Sequence, residues 1–416
     1  MEEKRISMQA SIIWNSVGSI VYLATQWVIS VLVVRLAGVE AAGNFTLATS
    51  INNVFYSIAM FGVRNYQVSD VNSKYEDATY INSRIVSCVF SFLVCIGYCV
   101  CMGYVVEQKA CIIFYCTFKM SEALYDVYAG ICQKNWRMDY IGKSWMLRGV
   151  VTFVGFFVVL YISSDLVLSI FCMSVLSYSV IVFYDIPTAK RLANINFRGK
   201  IRNALLLMKE CFPLFCYMIL STLITTIPRV VMERILGSYA LGVYGSVSSP
   251  TLIVQMGASY IFNPFLTLFA EQFSNRQKKD FWKTFQICML GIAGLSICAL
   301  VGGKLLGKWG LNLLYGKEIA EYVSLLIPLI VCTILTAVIW MLCALLTIVR
   351  EFRGLIISNL VALLASTSSS MIFIKSFDMQ GASYSLTLSF LIEIVCLFLF
   401  LKKKTDVQFQ NNRVKA

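Results

Sequence analysis

Three charged residues stand at helical spacing in an otherwise apolar part of the chain. Lys119, Glu122 and Asp126 occupy positions i, i+3 and i+7, so a helix places them on one face, which Tyr115 extends. A charge that faces lipid costs about 2.5–3.5 kcal/mol on insertion scales, so this face must look onto protein or water. Two interpretations stay open. Either Lys119 and Glu122 neutralise each other inside the protein, or the face lines a polar cavity. In the cavity, Lys119 attracts an anion, and Glu122 or Asp126 takes up a proton or a sodium ion.

Stripes of uncharged polar residues run along two apolar segments. The first stripe, at spacing i, i+4, i+7 and i+11, consists of Asn15, Ser19, Tyr22 and Gln26. The second consists of Tyr217, Ser221 and Thr225. Such stripes either join helices by hydrogen bonds worth about 0.6 kcal/mol each, or line a polar pathway. Because the stripe recurs at an equivalent position, the pathway is favoured, and both stripes are predicted to contact substrate.

Four further ionisable residues lie in or at the ends of apolar segments. Arg64, Arg148 and Arg229 stand near segment ends, where a long basic side chain can reach the membrane interface. The alternative for these three is contact with substrate. Glu393 lies within the last apolar segment, where it either pairs with a basic residue or couples transport to an ion.

Two prolines interrupt the segment that carries the second polar stripe. Pro213 and Pro228 each remove a backbone hydrogen-bond donor. A helix with two such positions can bend, so this segment is a candidate hinge. Static kinks are the alternative.

The composition removes several classes of chemistry. The chain has no histidine, which excludes histidine-based acid–base catalysis and most zinc sites. The 15 cysteines lie in or at the edges of apolar segments without a Cys-x-x-Cys pair, so they are interpreted as small buried residues. No metal site and no cofactor is predicted, apart from a proton or a sodium ion as a coupling ion.

The elements that must position these residues are membrane helices. The chain has 416 residues, 58% of them hydrophobic and only 14% charged, which is typical of an integral membrane protein. Runs of about 20 apolar residues match the length that a helix needs to cross a bilayer. An all-α protein with twelve transmembrane helices is predicted, with spans near 11–34, 43–63, 84–106, 110–131, 145–162, 165–186, 207–230, 239–263, 284–306, 322–348, 355–374 and 379–401. The fourth span is the least hydrophobic.

Basic residues orient the helices. With both termini on one side, that side holds 26 of the 35 Lys and Arg residues, and the other side holds 8. Since basic residues accumulate on the cytoplasmic side, the termini are predicted to be cytoplasmic. The net charge of +13 thus orients the protein and favours anionic lipid headgroups, and it does not imply nucleic acid.

An internal repeat divides the chain. The pattern Arg-x-x-Gly-x-x-Ala-x-Gly-x-aromatic occurs at 35–45 and again 199 residues later at 234–244, each time between the first and second spans of a half. This places two six-helix bundles as parallel repeats, with the pattern as a tight turn between two helices. The predicted parts are a first bundle, a basic cytoplasmic linker, a second bundle and a basic cytoplasmic tail, at 1–190, 191–206, 207–401 and 402–416.

The region 17–70 resembles the amino-terminal region of bacterial polysaccharide–lipid flippases of the Wzx type. These belong to the multidrug/oligosaccharidyl-lipid/polysaccharide exporter superfamily. The resemblance rests on Arg35-x-x-Gly38 through Ala48, on the run from Phe61 to Asp70, and in the second half on Pro228-Arg229, Gly237, Gly242-x-Tyr244 and Asn263-Pro264. With the plan of six plus six spans, it covers most of the chain.

The resemblance implies two bundles around a cationic cavity and alternating access, in the bacterial cytoplasmic membrane. It implies an undecaprenyl-pyrophosphate-linked oligosaccharide as substrate, moved for the synthesis of a surface polysaccharide such as O-antigen or capsule. The protein is expected to be a monomer and not an enzyme, and a polysaccharide polymerase and assembly proteins are candidate partners. The alternative is a cation-coupled multidrug exporter of the same superfamily. A membrane polymerase or glycosyltransferase would need a large outer loop with charged residues, and the outer loops are short.

Overall fold

The structure is a computed structural model that describes residues 7–70, 74–193 and 201–410. Within these ranges all regular secondary structure is helical, as predicted. The α-helices are α1 Met8–Met60, α2 Val63–Ser69, α3 Asp77–Cys101, α4 Val106–Lys134, α5 Met138–Ser163, α6 Leu166–Val180, α7 Ile186–Leu192, α8 Ile201–Ser248, α9 Leu252–Phe262, α10 Leu266–Ser274, α11 Lys278–Tyr315, α12 Lys317–Ala320, α13 Leu326–Ile348 and α14 Phe352–Gln410. A π-helical turn, Ile181–Asp185, joins α6 to α7. Residues 194–200 of the predicted linker and 411–416 of the predicted tail lie outside the described residues.

Eight helical stretches of the described chain are long and apolar enough to cross a membrane. Three of them, Met8–Ser69, Ile201–Ser274 and Phe352–Gln408, contain non-helical residues that divide the stretch. α4 is not among the eight, in keeping with its low hydrophobicity, yet it forms a helix of 29 residues. With α4 and the divided stretches, the described helices are consistent with twelve spans. The protein is therefore a multi-pass, all-helical membrane protein.

The repeated turn contains one non-helical glycine in each copy. Gly38 has φ 89° and ψ 174°, and Gly237 has φ 83° and ψ 174°. Only glycine adopts this region without strain. The chain is helical on both sides of each glycine, so the turn predicted over eleven residues shrinks to one. Gly38 and Gly237 are also equivalent positions of the sequence repeat.

Contacts within the amino-terminal helices show that the chain reverses at Gly38. Before it, α1 runs in the same direction as α5, from the hydrogen bond of Ser11 with Asp139 to the ring contact of Tyr22 with Trp145. After it, α1 runs in the same direction as α4. Since α4 and α5 are joined by only three residues, 135–137, they form an antiparallel hairpin. The two halves of α1 are therefore antiparallel, as two spans require.

The chain divides into two compact units, Met1–Thr222 and Leu223–Ala416. The division falls inside α8 because the first turns of this helix pack on the first unit. Phe215 stacks on Phe61 with ring centroids 4.0 Å apart, and the hydroxyls of Thr222 and Ser57 are 2.8 Å apart. The bundle limits proposed from the sequence, at 190 and 207, stay a prediction.

In the first unit, α1 and α5 cross at a pair of glycines. A Cβ added to Gly18 would lie 1.9 Å from the carbonyl oxygen of Gly142, and one added to Gly142 would lie 2.0 Å from that of Trp14. No side chain fits at this crossing, which is the close approach that small residues permit between membrane helices. It holds α5, and with it Arg148, directly against α1.

The second unit is held by hydroxyl contacts and another close crossing. α14 reverses at Phe377 and Asp378, and a Cβ on Gly381 would lie 2.1 Å from the carbonyl oxygen of Phe373. Ser369 before the reversal and Ser385 after it have their hydroxyls 2.7 Å apart. Small residues thus bring the two halves of α14 together along their length.

Candidate functional site

Lys119 and Glu122 form an ion pair inside the first unit. Lys119 Nζ lies 2.6 Å from Glu122 Oε2, and the side chains are 16% and 3% exposed. The ammonium group also lies 5.4–5.7 Å from the ring centroids of Tyr56, Tyr115 and Phe118, within the range of a cation–π contact. The second oxygen of Glu122, Oε1, is buried without a hydrogen-bond partner. The Lys119–Glu122 pair, one of the two interpretations that the sequence leaves open, is therefore present, and it leaves one acceptor of Glu122 unused.

Asp126, one turn further along α4, lies between two arginines. Arg64 Nη1 is 2.7 Å from Asp126 Oδ1, and Arg84 Nη2 is 2.8 Å from Oδ2. The side chain of Arg84 is fully buried and also donates to the carbonyl oxygen of Ala59. The side chain of Arg64 is 24% exposed and donates to Gln133 Oε1 at 2.9 Å. One carboxylate thus holds one buried and one accessible guanidinium group.

Arg148 lies in a second, fully buried network. Its Nη2 is 3.1 Å from Asp185 Oδ2, and its Nη1 donates to Ser177 at 2.7 Å. Ser144 donates to Asp185 Oδ1 at 2.6 Å, and the Arg148 guanidinium lies 4.8 Å from the ring centroid of Tyr125. The π-helical turn ends at Asp185, where such a turn can re-aim a side chain. Arg148 is therefore paired in the interior and does not reach the interface.

These residues form what we call the α4 charge cluster. It contains four basic and three acidic side chains, so with ordinary protonation it carries one net positive charge: Lys119, Arg64, Arg84, Arg148, Glu122, Asp126 and Asp185. Only two of its basic side chains have exposed surface, those of Lys119 and Arg64. The mixed sign expected from the sequence is present, and each acid is committed to at least one basic partner.

Two members of the cluster, Arg84 and Asp185, are not among the site residues predicted from the sequence. The third span is predicted to start at Arg84, but α3 begins seven residues earlier, at Asp77, which carries Arg84 inward. The sixth span is predicted to end near Asp185, but the helical path continues to Leu192. A signal for Arg84 was present. Ser87 and Ser91 follow at i+3 and i+7, and both donate at 2.6 Å to carbonyl oxygens of α1.

The polar stripe of the first span meets α5 at Tyr22. Tyr22 is 7% exposed, and its ring centroid lies 4.3 Å from that of Trp145. The Tyr22 hydroxyl and the Gln26 Nε2 are buried without a hydrogen-bond partner. Ser19 instead donates to the carbonyl oxygen of Asn15, within its own helix. Tyr22 and Gln26 thus have unused hydrogen-bond donors, which is typical of residues that line a site for a polar ligand.

The remaining predicted residues are distributed along α8 and α14. Ser221 lies at the end of the first unit, and Thr225 and Arg229 lie in the second, all half-buried. Glu393 lies in the second unit, 2% exposed. α8 stays helical through Pro213 and Pro228, since only Gly237 has non-helical backbone angles within it. The hinge role of the prolines stays a proposal. Within the described ranges, no group of three His, Cys, Asp or Glu residues is placed to hold a metal ion.

The fold is that of known transporters. The chain is similar to the lipid II flippase MurJ in an inward closed conformation, with a TM-score of 0.75 at 14% identity over 97% of this chain and 91% of that one. It is also similar to a multidrug resistance MATE family transporter of the MOP superfamily. The inward-facing form of that family gives a TM-score of 0.72 at 12% identity, covering 96% of this chain and 99% of that one. These likenesses confirm the predicted fold class.

The sequence comparisons identify the family. The capsular polysaccharide biosynthesis protein CapF of Staphylococcus aureus is 24% identical over 392 residues, which cover 93% of this chain and 97% of that protein. The sequence profile of the family described as "Polysaccharide biosynthesis protein" matches residues 8–269, more than half of the chain. The resemblance noted in the sequence is confirmed at this level. With the α4 charge cluster inside the matched region, the chain belongs to the polysaccharide biosynthesis protein family.

Proposed function

We propose that this protein moves undecaprenyl-pyrophosphate-linked oligosaccharide units across the bacterial cytoplasmic membrane for surface polysaccharide synthesis. The observation that carries the proposal is the accessible positive charge of the α4 charge cluster, on Arg64 and Lys119. A pyrophosphate group is the anionic part of such a substrate. Family membership and the flippase and transporter names of the relatives support transport rather than catalysis.

In the proposed mechanism, Arg64 and Lys119 bind the pyrophosphate. The planar guanidinium of Arg64 can donate two hydrogen bonds to a phosphate group, whereas Lys119 acts as a point charge. Asp126 and Glu122 hold these two side chains in place before substrate arrives. The substrate then competes with the carboxylates for the same donors. Arg84 and Arg148 are buried, so their part is to position the acids and the helices rather than to contact the pyrophosphate.

Sugars would follow the polar stripes. The unused donors of Tyr22 and Gln26 suit hydroxyl and carboxylate acceptors of a glycan, and Asn15 belongs to the same stripe. Ser221 and Thr225 are proposed to contact sugars along α8. Arg229, which lies in the second unit, is proposed to bind a phosphate or an acidic sugar. The polyprenyl tail stays in lipid, because its transfer from lipid to water would be unfavourable. Solved relatives of the same fold, known in inward- and outward-facing forms, support alternating access.

A proton or a sodium ion is proposed to drive the return step. Glu122 is a candidate site because its Oε1 has no hydrogen-bond partner among the described residues. Glu393 is a second candidate, since a carboxylate buried to 2% exposure in a membrane helix is costly unless it binds a cation. Asp126 is shared by two arginines. It would have to release one of them to the substrate before it could take up an ion.

The second candidate function is a cation-coupled multidrug exporter. The three acids of the cluster and the likeness to MATE transporters favour it. The charge balance favours the first function, because each acid is already paired and the accessible side chains are basic. The protein is proposed to act as a monomer with both termini in the cytoplasm. A polysaccharide polymerase and assembly proteins would receive its product.

Transport by purified protein in lipid vesicles tests the proposal. Fluorescent undecaprenyl-pyrophosphate-linked oligosaccharide should cross the bilayer, and Lys119→Ala should abolish this flux while the protein remains folded in the membrane. Lys278→Ala is the matched control, since this lysine pairs with Asp406 on an exposed surface. Flux of an organic cation in place of the lipid-linked sugar would establish the exporter. Unchanged sugar flux in Lys119→Ala would remove the cluster from the mechanism.

A further inference from the structure

The short helix α2 follows an unusual break in the backbone. Phe61 and Gly62 both have positive φ, 47° and 67°, so the chain turns through two left-handed residues between α1 and α2. A bulky residue such as phenylalanine rarely adopts this region. Consecutive positive φ angles end α1 and aim α2 in a new direction. The break gives α2 a defined pivot.

The first turns of α8 lie antiparallel against this pivot. Ser57 meets Thr222, Phe61 stacks on Phe215, and a Cβ on Gly62 would lie 2.7 Å from Leu214. Further along, Tyr66 of α2 donates a hydrogen bond to Glu210. Successive residues from Ser57 to Tyr66 thus contact residues of decreasing number in α8, so the two segments are antiparallel. A movement of α2 about its pivot would therefore change its contacts with the first turns of α8.

Opposite sides of α2 hold different partners. Arg64 and Tyr66 are two residues apart, about 200° around a helix, so their side chains leave in opposite directions. Arg64 reaches Asp126 and Gln133 on α4, and Gln67 donates to the carbonyl oxygen of Val127 at 3.2 Å. Tyr66 reaches α8. The helix thus connects the α4 charge cluster to the start of α8 through side chains alone.

The contact with α8 is a small surface cluster, which we call the Glu210 clasp. Lys74 Nζ lies 2.6 Å from Glu210 Oε1, Tyr75 donates to the same oxygen at 3.0 Å, and Tyr66 donates to Oε2. The side chains of Lys74 and Glu210 are 55% and 36% exposed. Exposed ion pairs contribute little to stability, so this clasp can open and close at low cost. A contact of this kind suits a reversible step.

We infer that α2 couples the occupation of Arg64 to the release of the start of α8. While Arg64 is bound to Asp126, α2 is held against α4 and presents Tyr66 to Glu210. An anion that takes Arg64 away from Asp126 leaves α2 hydrogen-bonded to α4 by Gln67 alone among the described residues, so α2 can turn about its pivot and the clasp opens. The coupling residues are Arg64, Tyr66, Glu210 and Lys74. The identity of the anion as a pyrophosphate rests on the proposed function, whereas the mechanical link between Arg64 and α8 does not.

Hydrogen–deuterium exchange of the full-length protein in lipid nanodiscs tests the link. Arg64→Gln should raise the exchange rate of the amides of 205–212 by about threefold or more, because the clasp opens more often. Tyr66→Phe should do the same, and the double variant should add little to either. Arg64→Lys keeps the charge and should stay closer to the wild type. Lys278→Gln, which breaks an ion pair in the second unit, should leave 205–212 unchanged.

The result that overturns the inference is wild-type exchange at 205–212 in Arg64→Gln, with raised exchange in Tyr66→Phe. If Arg64→Gln instead raises exchange throughout α5 as well, it has unfolded the unit, and Gln133→Ala replaces it as the variant that loosens Arg64. Inorganic pyrophosphate added to the wild type should raise exchange at 205–212, and it should have no effect in Arg64→Gln. A link that holds without lipid-linked sugar flux in vesicles refutes the proposed function alone. Flux without the link refutes the coupling alone.

Discussion

At the scale of residues, the α4 charge cluster is set by one shared carboxylate. Asp126 accepts from a fully buried arginine and from a partly exposed one. Removing one partner of a buried ion pair costs about 3–5 kcal/mol, because a charge is left uncompensated. We expect Arg84→Gln to lower the free energy of unfolding by an amount of this order. Arg64→Gln should cost less, since its side chain is 24% exposed and its place can be taken by water.

A double-mutant cycle measures this coupling by thermal unfolding in detergent. Asp126→Asn removes the charge that Arg84 compensates, so the double variant Arg84→Gln/Asp126→Asn should be more stable than the sum of the single changes predicts. Ser163→Ala, at the exposed end of α5, is the control and should be neutral. Strictly additive losses would show that Arg84 stabilises the unit without acting through Asp126.

Asp70, the residue that follows α2, makes the stability of the protein depend on pH. Burial raises its pKa, but the backbone N–H groups of Lys74 and Tyr75 and the hydroxyl of Tyr80 donate to the carboxylate and bring the pKa below its usual value. A depressed pKa in the folded state adds stability that is present above the unfolded pKa, about 3.9 for Asp, and is lost as the pH falls through the folded pKa. The wild type should therefore lose stability below about pH 4.

Asp70→Asn should weaken this part of the acid dependence and lower the stability near pH 7. Unfolding midpoints measured from pH 7 down to pH 3 in a detergent that is itself insensitive to pH give both quantities. Asp406→Asn, whose carboxylate pairs with Lys278 in the second unit and is 32% exposed, is the matched control. The same slope in Asp70→Asn and the wild type would contradict the role of Asp70.

At the scale of elements, two glycines set where spans reverse. Gly38 and Gly237 share a backbone region that costs other residues about 1–3 kcal/mol, although no neighbour lies within 4 Å of an added Cβ. We expect Gly38→Ala and Gly237→Ala each to destabilise the protein by this amount, through backbone strain alone. Gly97 and Gly294 also have open space around an added Cβ but lie in helices without positive φ.

The helical glycines supply the control for this prediction. Gly97→Ala and Gly294→Ala should be neutral or stabilise by about 0.5–1 kcal/mol, because alanine loses less conformational entropy in a helix. The four variants can be ranked by thermal unfolding under one condition. Equal effects at all four positions would mean that the turn tolerates a side chain and that the repeat has another cause.

The same elements show what the sequence reveals and what it hides. Apolar length predicts the spans, and the repeated glycine pattern predicts the reversals at Gly38 and Gly237, since both signals are local. No local sequence signal predicts that Arg84 and Asp185 belong to the α4 charge cluster. Their membership depends on which helices are neighbours and on where α3 begins, at Asp77. Likewise, the first turns of α8 pack on the first unit through contacts that the spacing of residues in the sequence does not predict.

At the scale of the whole molecule, the family match and the charges of the described residues both support the proposed transport of an anionic glycolipid. The family match covers 8–269 and so includes all but the first seven residues of the first unit and the beginning of the second. The single net positive charge of the α4 charge cluster is a small surplus. Under the proposed function, recognition of the substrate would therefore depend on the placement of Arg64 and Lys119 rather than on a strongly basic interior. A substrate that displaces Asp126 or Glu122 changes the charge balance inside the protein. Under the proposed function, such a change shifts the equilibrium between the conformations of the protein.

The orientation of the molecule decides which face first meets that substrate. The basic residues predict cytoplasmic termini, with the turn at Gly38 on the outer face. Single cysteines at Ser164 and Ser376, both exposed and next to the outer positions Asp165 and Lys375, should react in intact cells with a maleimide that cannot cross membranes. A cysteine at Asn275, exposed after α10, or next to Lys200, which lies outside the described residues, should react only after the cells are permeabilised.

The labelling needs a background without accessible thiols, so Cys101 and Cys298, the exposed native cysteines of the described chain, are replaced by alanine. Complete labelling after permeabilisation at all four sites is the control for reactivity. If Asn275→Cys reacts from outside and Ser164→Cys does not, the molecule is inverted. The start of α8 and the Glu210 clasp would then face the exterior, and an outward flippase would have to load its substrate at the opposite end of α4. The predicted pattern instead puts the clasp on the cytoplasmic side, where lipid-linked sugars are assembled in the proposed pathway.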